Sequence, residues 1–132
     1  MIHTLQIKTE KHAQMIDITD KIREVLNSEQ VQNGAIIVYS PHTTAGITIN
    51  ENADPDVQHD IIKRLDRLCP RTQSDDNHIE GNSAAHLKAS LIGISQTVLI
   101  ENGDLVLGRW QGVYFCEFDG PRLRTAWVKV LR

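Results

Sequence analysis

The last third of the chain constrains the fold most. Four alternating or apolar runs (Gln96–Ile100, Leu105–Leu107, Gly112–Phe118 and Leu123–Leu131) are separated there by turn-forming residues. Asn102-Gly103 joins the first two, and Asn-Gly is the pair that best accepts the left-handed backbone of a two-residue hairpin. Asp119-Gly120-Pro121 marks the next reversal. Connections this short join antiparallel strands, because a parallel pair needs a crossover of a dozen residues or more.

The first two thirds mix periods. Thr4–Thr9 alternates like a half-buried strand, as does Gly46–Asn50, and Ala35–Tyr39 is a short apolar strand that Pro41 ends. From Asp17 to about Asn27 the period lengthens, with Ile18, Ile22, Val25 and Leu26 on one helical face and Asp17 or Thr19 as the cap. Asp54-Pro55 starts a second helix carrying Val57, Ile61, Ile62, Leu65 and Leu68, since aspartate caps free N–H groups and proline at the first position has none to orphan. Cys69–Asn82 reads as a long polar loop. A short third helix, capped by Asn82 or Ser83 and closed by Gly93, shows Leu87 and Leu91 on one face. The expected fold is α+β: a single domain over residues 1–132, with about three helices and seven strands in a largely antiparallel sheet. Such a sheet in a small chain leaves a face or an edge that self-association covers.

Composition narrows the function classes. At 132 residues the chain is too short for a (β/α)₈ barrel, which needs roughly 200 or more. A net charge of −3 argues against a nucleic-acid partner. The longest apolar stretch, Ala35–Tyr39, is far short of the roughly 20 residues of a spanning helix. MIHTLQIKTEKH lacks the basic-then-apolar order of a signal peptide. The expectation is a soluble cytoplasmic protein with no nucleic-acid or membrane partner. Cys69 and Cys116 form no CxxC, so neither a disulfide framework nor a thiolate zinc site is signalled. Cys116 reads as a small buried hydrophobe rather than a nucleophile.

Three groups of residues carry chemistry. Three of the six histidines stand apart: His42 in the turn Ser40-Pro41-His42-Thr43-Thr44-Ala45-Gly46, His78 in the long loop, and His86 one helical turn after Asn82. Three imidazoles with an open position are the ligand set of a catalytic zinc. The bland reading packs His42 under its turn and leaves His78 in solvent. Glu51 follows an alternating strand in Asn50-Glu51-Asn52-Ala53-Asp54, where a carboxylate can ligate a metal, orient a histidine or act as a base. The bland reading there is a solvated loop with Asp54 as a cap. Anion contacts are suggested by the hydroxyls of Thr43 and Thr44, by the helix start at Asn82/Ser83, and by Arg122 and Arg124, spaced two apart for a bidentate phosphate grip. Salt-bridged surface arginines are the alternative. In Gly108-Arg109-Trp110-Gln111-Gly112, Trp110 reads as a core plug and Gln111 as a pocket donor.

HTTAGITINENADPD, EGNSAAHLKAS, the run from Gly103 to Gln111 and FDGPR together resemble the YjbQ family of small bacterial and archaeal proteins, which carries the label secondary thiamine-phosphate synthase. The resemblance covers about Ser40 to the C-terminus. It implies an α+β homotrimer with a polar cleft near the subunit boundaries and a divalent metal in some members. It implies site positions at His42, Thr43, Thr44, Asn50, Glu51, Asp54, His78, Asn82, His86, Trp110, Gln111 and Arg122. Arg109 departs from the family pattern, which has threonine before the Trp-Gln pair. The resulting expectation is a metal-assisted enzyme on a small phosphorylated metabolite, joining a pyrimidine diphosphate to a thiazole phosphate. His42, His78 and His86 are assigned to the metal, with zinc favoured over magnesium by the imidazoles. Thr43, Thr44, Asn50, Trp110 and Arg122 are assigned to substrate, and Glu51, Asp54, Asn82 and Gln111 to catalysis. The alternatives are a zinc-dependent hydrolase and a non-catalytic trimeric module binding a metabolite or metal.

Overall fold

The computed structural model describes residues Met1–Arg132. Eight strands and three helices follow in the order β1 (Ile2–Lys8), β2 (Gln14–Asp17), α1 (Thr19–Glu29), β3 (Gly34–Tyr39), β4 (Ala45–Glu51), α2 (Pro55–Leu68), α3 (Ser83–Ile92), β5 (Ser95–Glu101), β6 (Asp104–Val106), β7 (Gln111–Glu117) and β8 (Leu123–Leu131). All pairings are antiparallel. They form a five-stranded sheet, β1-β8-β3-β5-β6, and a three-stranded sheet, β2-β7-β4.

β7 explains the layering. Its residues from Gly112 to Glu117 are all buried, so the strand reads as a continuous run rather than an alternation. Val113 and Phe115 join the main core, where Ile36, Val38, Val98, Ala126 and Val128 of the large sheet meet Ile22, Val25 and Leu26 of α1. Tyr114 and Cys116 point the other way, into a smaller cluster with Phe118 and with Ala85 and Ala89 of α3. The small sheet is thus sandwiched between the large sheet on one side and α2 with α3 on the other. The outer face of the large sheet carries no layer at all and exposes Ile2, Leu99, Leu123 and Trp127.

The antiparallel α+β architecture with three helices agrees with the sequence. β2 adds an eighth strand, and its four residues are too few to show a period. Neither residue expected to cap α1 is its N-cap: Ile18 stands there with no side-chain capping bond, Thr19 is already the first helical residue, and the Asp17 carboxylate accepts from the Thr19 amide and hydroxyl at 2.9 and 2.5 Å. α3 is turned differently from the expected Leu87/Leu91 packing. Its buried face is Ala84, Ala85, Lys88 and Ala89, and both leucines are exposed. Small side chains let α3 lie close against β4, where a Cβ on Gly46 would stand 2.5 Å from the Gly93 carbonyl oxygen. The Asn102-Gly103 hairpin is as expected, with φ of 52° and 78° at its two residues.

Polar side chains fasten the sheets together at one end. Glu117 at the end of β7 and Arg124 in β8 are both buried and form an ion pair. The Glu117 carboxylate also accepts from the Thr9 hydroxyl at 2.8 Å and the Asp119 amide at 3.0 Å. Arg124 donates to the Thr44 hydroxyl at 2.9 Å. Burial pushes the Glu117 carboxyl up, but Arg124, the Asp119 amide and the Thr9 hydroxyl together outweigh it and hold it below its ordinary value of 4.5. Removing one partner leaves the other charged and buried, so Arg124→Met should cost about 3–5 kcal/mol of unfolding free energy in urea denaturation. Because the folded carboxyl is depressed, the pair's contribution is complete above pH 4.5 and should fade as pH falls below it; Glu117→Gln should flatten that acid limb.

Candidate functional site

His42 is the best-defined member of the site. The loop between β3 and β4 swings its ring against the large sheet, edge-on to Phe115, and the Thr125 amide donates to Nε2 at 3.0 Å. A neutral imidazole has one lone pair, so this bond places the ring proton on Nδ1 and makes that nitrogen a donor. Desolvation, with the Arg124 charge next, pushes the His42 pKa below its ordinary value of 6.5. The ring is therefore held neutral.

A cleft of about 380 Å³ opens beside it, lined by Pro41, His42 and Thr43 from the loop and by His86 and Ser90 from α3. Tyr39 forms its outer wall and stacks on Trp127 at 5.9 Å. His78 meets His86 edge to face with ring centroids 5.3 Å apart. The three histidines thus gather around one end of α3 despite their separation in sequence. They do not form a ligand set: no group of three His, Cys, Asp or Glu side chains is arranged to hold a metal ion. His42 fits such a role poorly, because its only lone pair is spent on Thr125. The donor set disagrees with a three-imidazole zinc site.

The other expected residues divide. Thr43 lines the cleft, but Thr44 is buried and its hydroxyl is engaged by Arg124. Arg124 turns inward to Glu117 and Arg122 bonds Asp119 at 3.0 Å, so the two arginines form no common phosphate grip. The period-two argument fails because Arg122 lies before β8 begins. Asn82 precedes α3, but its side chain makes no capping bond and instead donates to Asp119 at 2.9 Å.

Asn50, Glu51, Asp54, Trp110 and Gln111 lie at the far end of β4. Ala45 pairs with Glu117 and Glu51 with Gln111, so the two groups are separated by the length of a seven-residue strand, roughly 20 Å. Asp54 caps α2 through the Asp56 amide. Glu51 is held by its backbone carbonyl, which accepts from the Tyr114 hydroxyl at 3.1 Å, while Gln58 donates to that hydroxyl. Gln111 closes its own turn, its Oε1 accepting from the Gly108 amide at 2.7 Å. Trp110 is no core plug: it is 53% exposed, and the Arg109 guanidinium sits 4.8 Å from its ring centre. Burial pushes the Cys116 thiol up to about 12, consistent with an inert core residue. Sequence reasoning missed Tyr114 and Gln58, which only strand register brings to Glu51, and Lys88, which is 3% exposed and paired with Asp66.

Comparisons with known proteins bear on this geometry. A family model described as UPF0047 protein YjbQ-like matches residues 3–132. UPF0047 protein YugU of Bacillus subtilis is 56% identical over 99% of both chains. A UPF0047 protein of Methanocaldococcus jannaschii is 51% identical over 99% of this chain and 94% of its own. A crystal structure from Clostridium acetobutylicum, titled an uncharacterized conserved protein of the yjbq/upf0047 family, superposes with a TM-score of 0.96 at 53% identity, covering 98% of this chain and 99% of that one. A hypothetical protein from Aeropyrum pernix gives 0.94 at 36% identity over 99% and 98%.

The neutral state of His42 has a measurable consequence. A histidine depressed on folding lets the unfolded chain take up protons first, so stability is complete above pH 6.5 and falls as pH drops below it. His42→Gln should flatten the limb that begins below pH 6.5, while the Glu117-dependent limb below pH 4.5 persists.

Proposed function

This chain belongs to the YjbQ-like UPF0047 family, and from that premise we propose that it is an enzyme acting on a small phosphorylated metabolite in the cleft between His42 and His86. The observation that carries the reading is the pairing of two imidazoles on one cleft, with one of them locked as a neutral donor. His42 Nδ1–H, on a cleft that Thr43 also lines, donates a hydrogen bond to a substrate oxygen without first losing a proton of its own. His86, with His78 packed against its ring, gives or takes the proton at the reacting oxygen. The specific reaction that the family resemblance suggests joins a pyrimidine diphosphate to a thiazole phosphate, with pyrophosphate leaving as the new bond forms. In that reaction His86 serves the departing diphosphate. The geometry gives no step through a metal.

Assembly is part of the proposal. The outer face of the five-stranded sheet presents Ile2, Leu99, Leu123 and Trp127 to solvent, and α3 presents Leu87 and Leu91. Two different apolar faces on one chain suit a head-to-tail contact, which closes into a ring when its rotation allows. A homotrimer is the ring proposed here.

Two experiments test these readings. Turnover should be sought with a panel of phosphate and diphosphate esters. His86→Ala should lower it by roughly 10²-fold or more with little change in melting temperature. A ligand-induced rise in melting temperature without turnover on any member would overturn the enzyme reading in favour of a binding module. Light scattering should give a trimer mass for the native chain and a monomer for Trp127→Asp; a native monomer at micromolar concentration would overturn the assembly.

A further inference from the structure

The loop between α2 and α3 stands apart from the body of the chain. Residues 70–81 are all exposed. Their backbone hydrogen bonds stay within the loop, from the Asp76 amide to Gln73 and from the Gly81 amide to His78, both at 3.1 Å. The one side-chain hydrogen bond that reaches the loop, from Asn82 to Glu80, is long at 3.5 Å. The turn His78-Ile79-Glu80-Gly81 closes on a left-handed residue, which Gly81 supplies with φ of 70°. Ile79 stands at the tip of that turn and is 100% exposed, so its side chain loses no surface to its own chain. Around it the loop is acidic, with Asp75, Asp76 and Glu80 against Arg71 alone. Gln73 and Asp76 share a cavity with Leu87, so the loop and the exposed leucine of α3 belong to one face.

The outer face of the large sheet offers the complement. Ile2, Lys129 and Ile37 stand side by side across β1, β8 and β3, and Trp127 with Tyr39 form the next row. Together with Val128 they line a groove of about 270 Å³. Its walls are apolar, and its one charge is Lys129, which has no carboxylate partner. One chain thus carries an aliphatic knob on an acidic loop and an aromatic-walled groove with a basic rim. An apolar centre with complementary charge at its edge is the anatomy of a protein–protein contact. Resting on the proposed assembly, we propose that copies of the chain join by this loop entering this groove. Ile79 of one copy packs among Ile37, Tyr39 and Trp127 of the next, and Glu80 pairs with Lys129 there. Knob and groove are different surfaces, so the contact runs head to tail. It also joins neighbouring sites. His78 packs against His86 on its own cleft, and Tyr39 walls both the groove and the His42 cleft of the next copy. Each loop therefore touches two clefts.

Charge exchange across the contact makes the test. Light scattering over a dilution series gives the mass of the full chain and the concentration at which the assembly dissociates. Glu80→Lys and Lys129→Glu, each at an exposed position, should raise that concentration by roughly tenfold or more, because each places like charges together. Both changes in one chain should restore it to within about threefold of the native value. Ile79→Asp should give a monomer whose circular dichroism keeps the native secondary structure. A chain with Glu80→Cys and Lys129→Cys, once oxidised, should run as a covalent trimer without reductant. A native assembly that Trp127→Asp dissociates, while Ile79→Asp and both charge reversals leave it intact, would overturn this contact and leave the trimer standing. A native monomer would overturn the contact and the trimer together. A cross-linked monomer would show the loop folding onto its own groove and would overturn the inference as well.

Discussion

The buried pair of Glu117 and Arg124 is the constraint around which the rest is arranged. Withdrawing two charges from water costs several kcal/mol per ion, and the pair is tolerated only because its remaining donors and acceptors are met. Meeting them draws in the end of β1 through Thr9, the start of β4 through Thr44 and the turn after β7 through the Asp119 amide. Strand ends from both sheets are thereby pinned to one point. The same guanidinium lies close enough to His42 to disfavour its protonation. Burial does most to keep that imidazole neutral; Arg124 adds to it and Glu117 opposes it, so altering either charge would change the ring's surroundings as well as the fastening of the sheets.

β7 transmits this arrangement through the molecule. A strand buried on both faces needs cover on both, and the chain provides it with the large sheet on one side and α2 with α3 on the other. Placing α3 against β4 brings His86 within the same cleft as His42. With α2 and α3 on the small sheet and α1 in the main core on the large sheet's inner side, no helix is left for the large sheet's outer face. Its naked outer face is the geometric cost of the layer order.

Much of this was legible in the sequence, and the misses have physical causes. The turn signals around β5 to β8 and the Asp54-Pro55 cap appear in the structure, and of the histidines set apart in the sequence His42 and His86 line one cleft with His78 against His86. Leu87 and Leu91 looked like a packing stripe because they are the large apolar residues of α3. The packed face is alanine, which buries little surface but allows close approach to Gly46. Arg122 and Arg124 looked like a pair because strands alternate, yet only Arg124 is in the strand. The informative pattern lay across the turn, where Glu117 and Arg124 flank Asp119-Gly120-Pro121 with opposite charges. Tyr114 reaches Glu51 only through the β4–β7 register, which no local pattern encodes. Motifs adjacent in order, such as His42 to Asp54, proved to be spread along a strand, so their proximity in sequence did not mean one site.

Tyr39 is where assembly and chemistry meet. It ends β3 on the uncovered face, stacks on Trp127 with planes 10° apart, and forms the outer wall of the His42 cleft. A copy of the chain seated on Trp127 must therefore also touch the ring that bounds the cleft. An exposed stacked pair on a bare sheet has water on its free side, and covering that side removes water from the mouth of the cleft as well. In a drier mouth, a hydrogen bond from His42 Nδ1 to the proposed substrate would be stronger and the neutral form of the ring would be favoured further. Covering Tyr39 in the proposed ring would thus reach the cleft through desolvation.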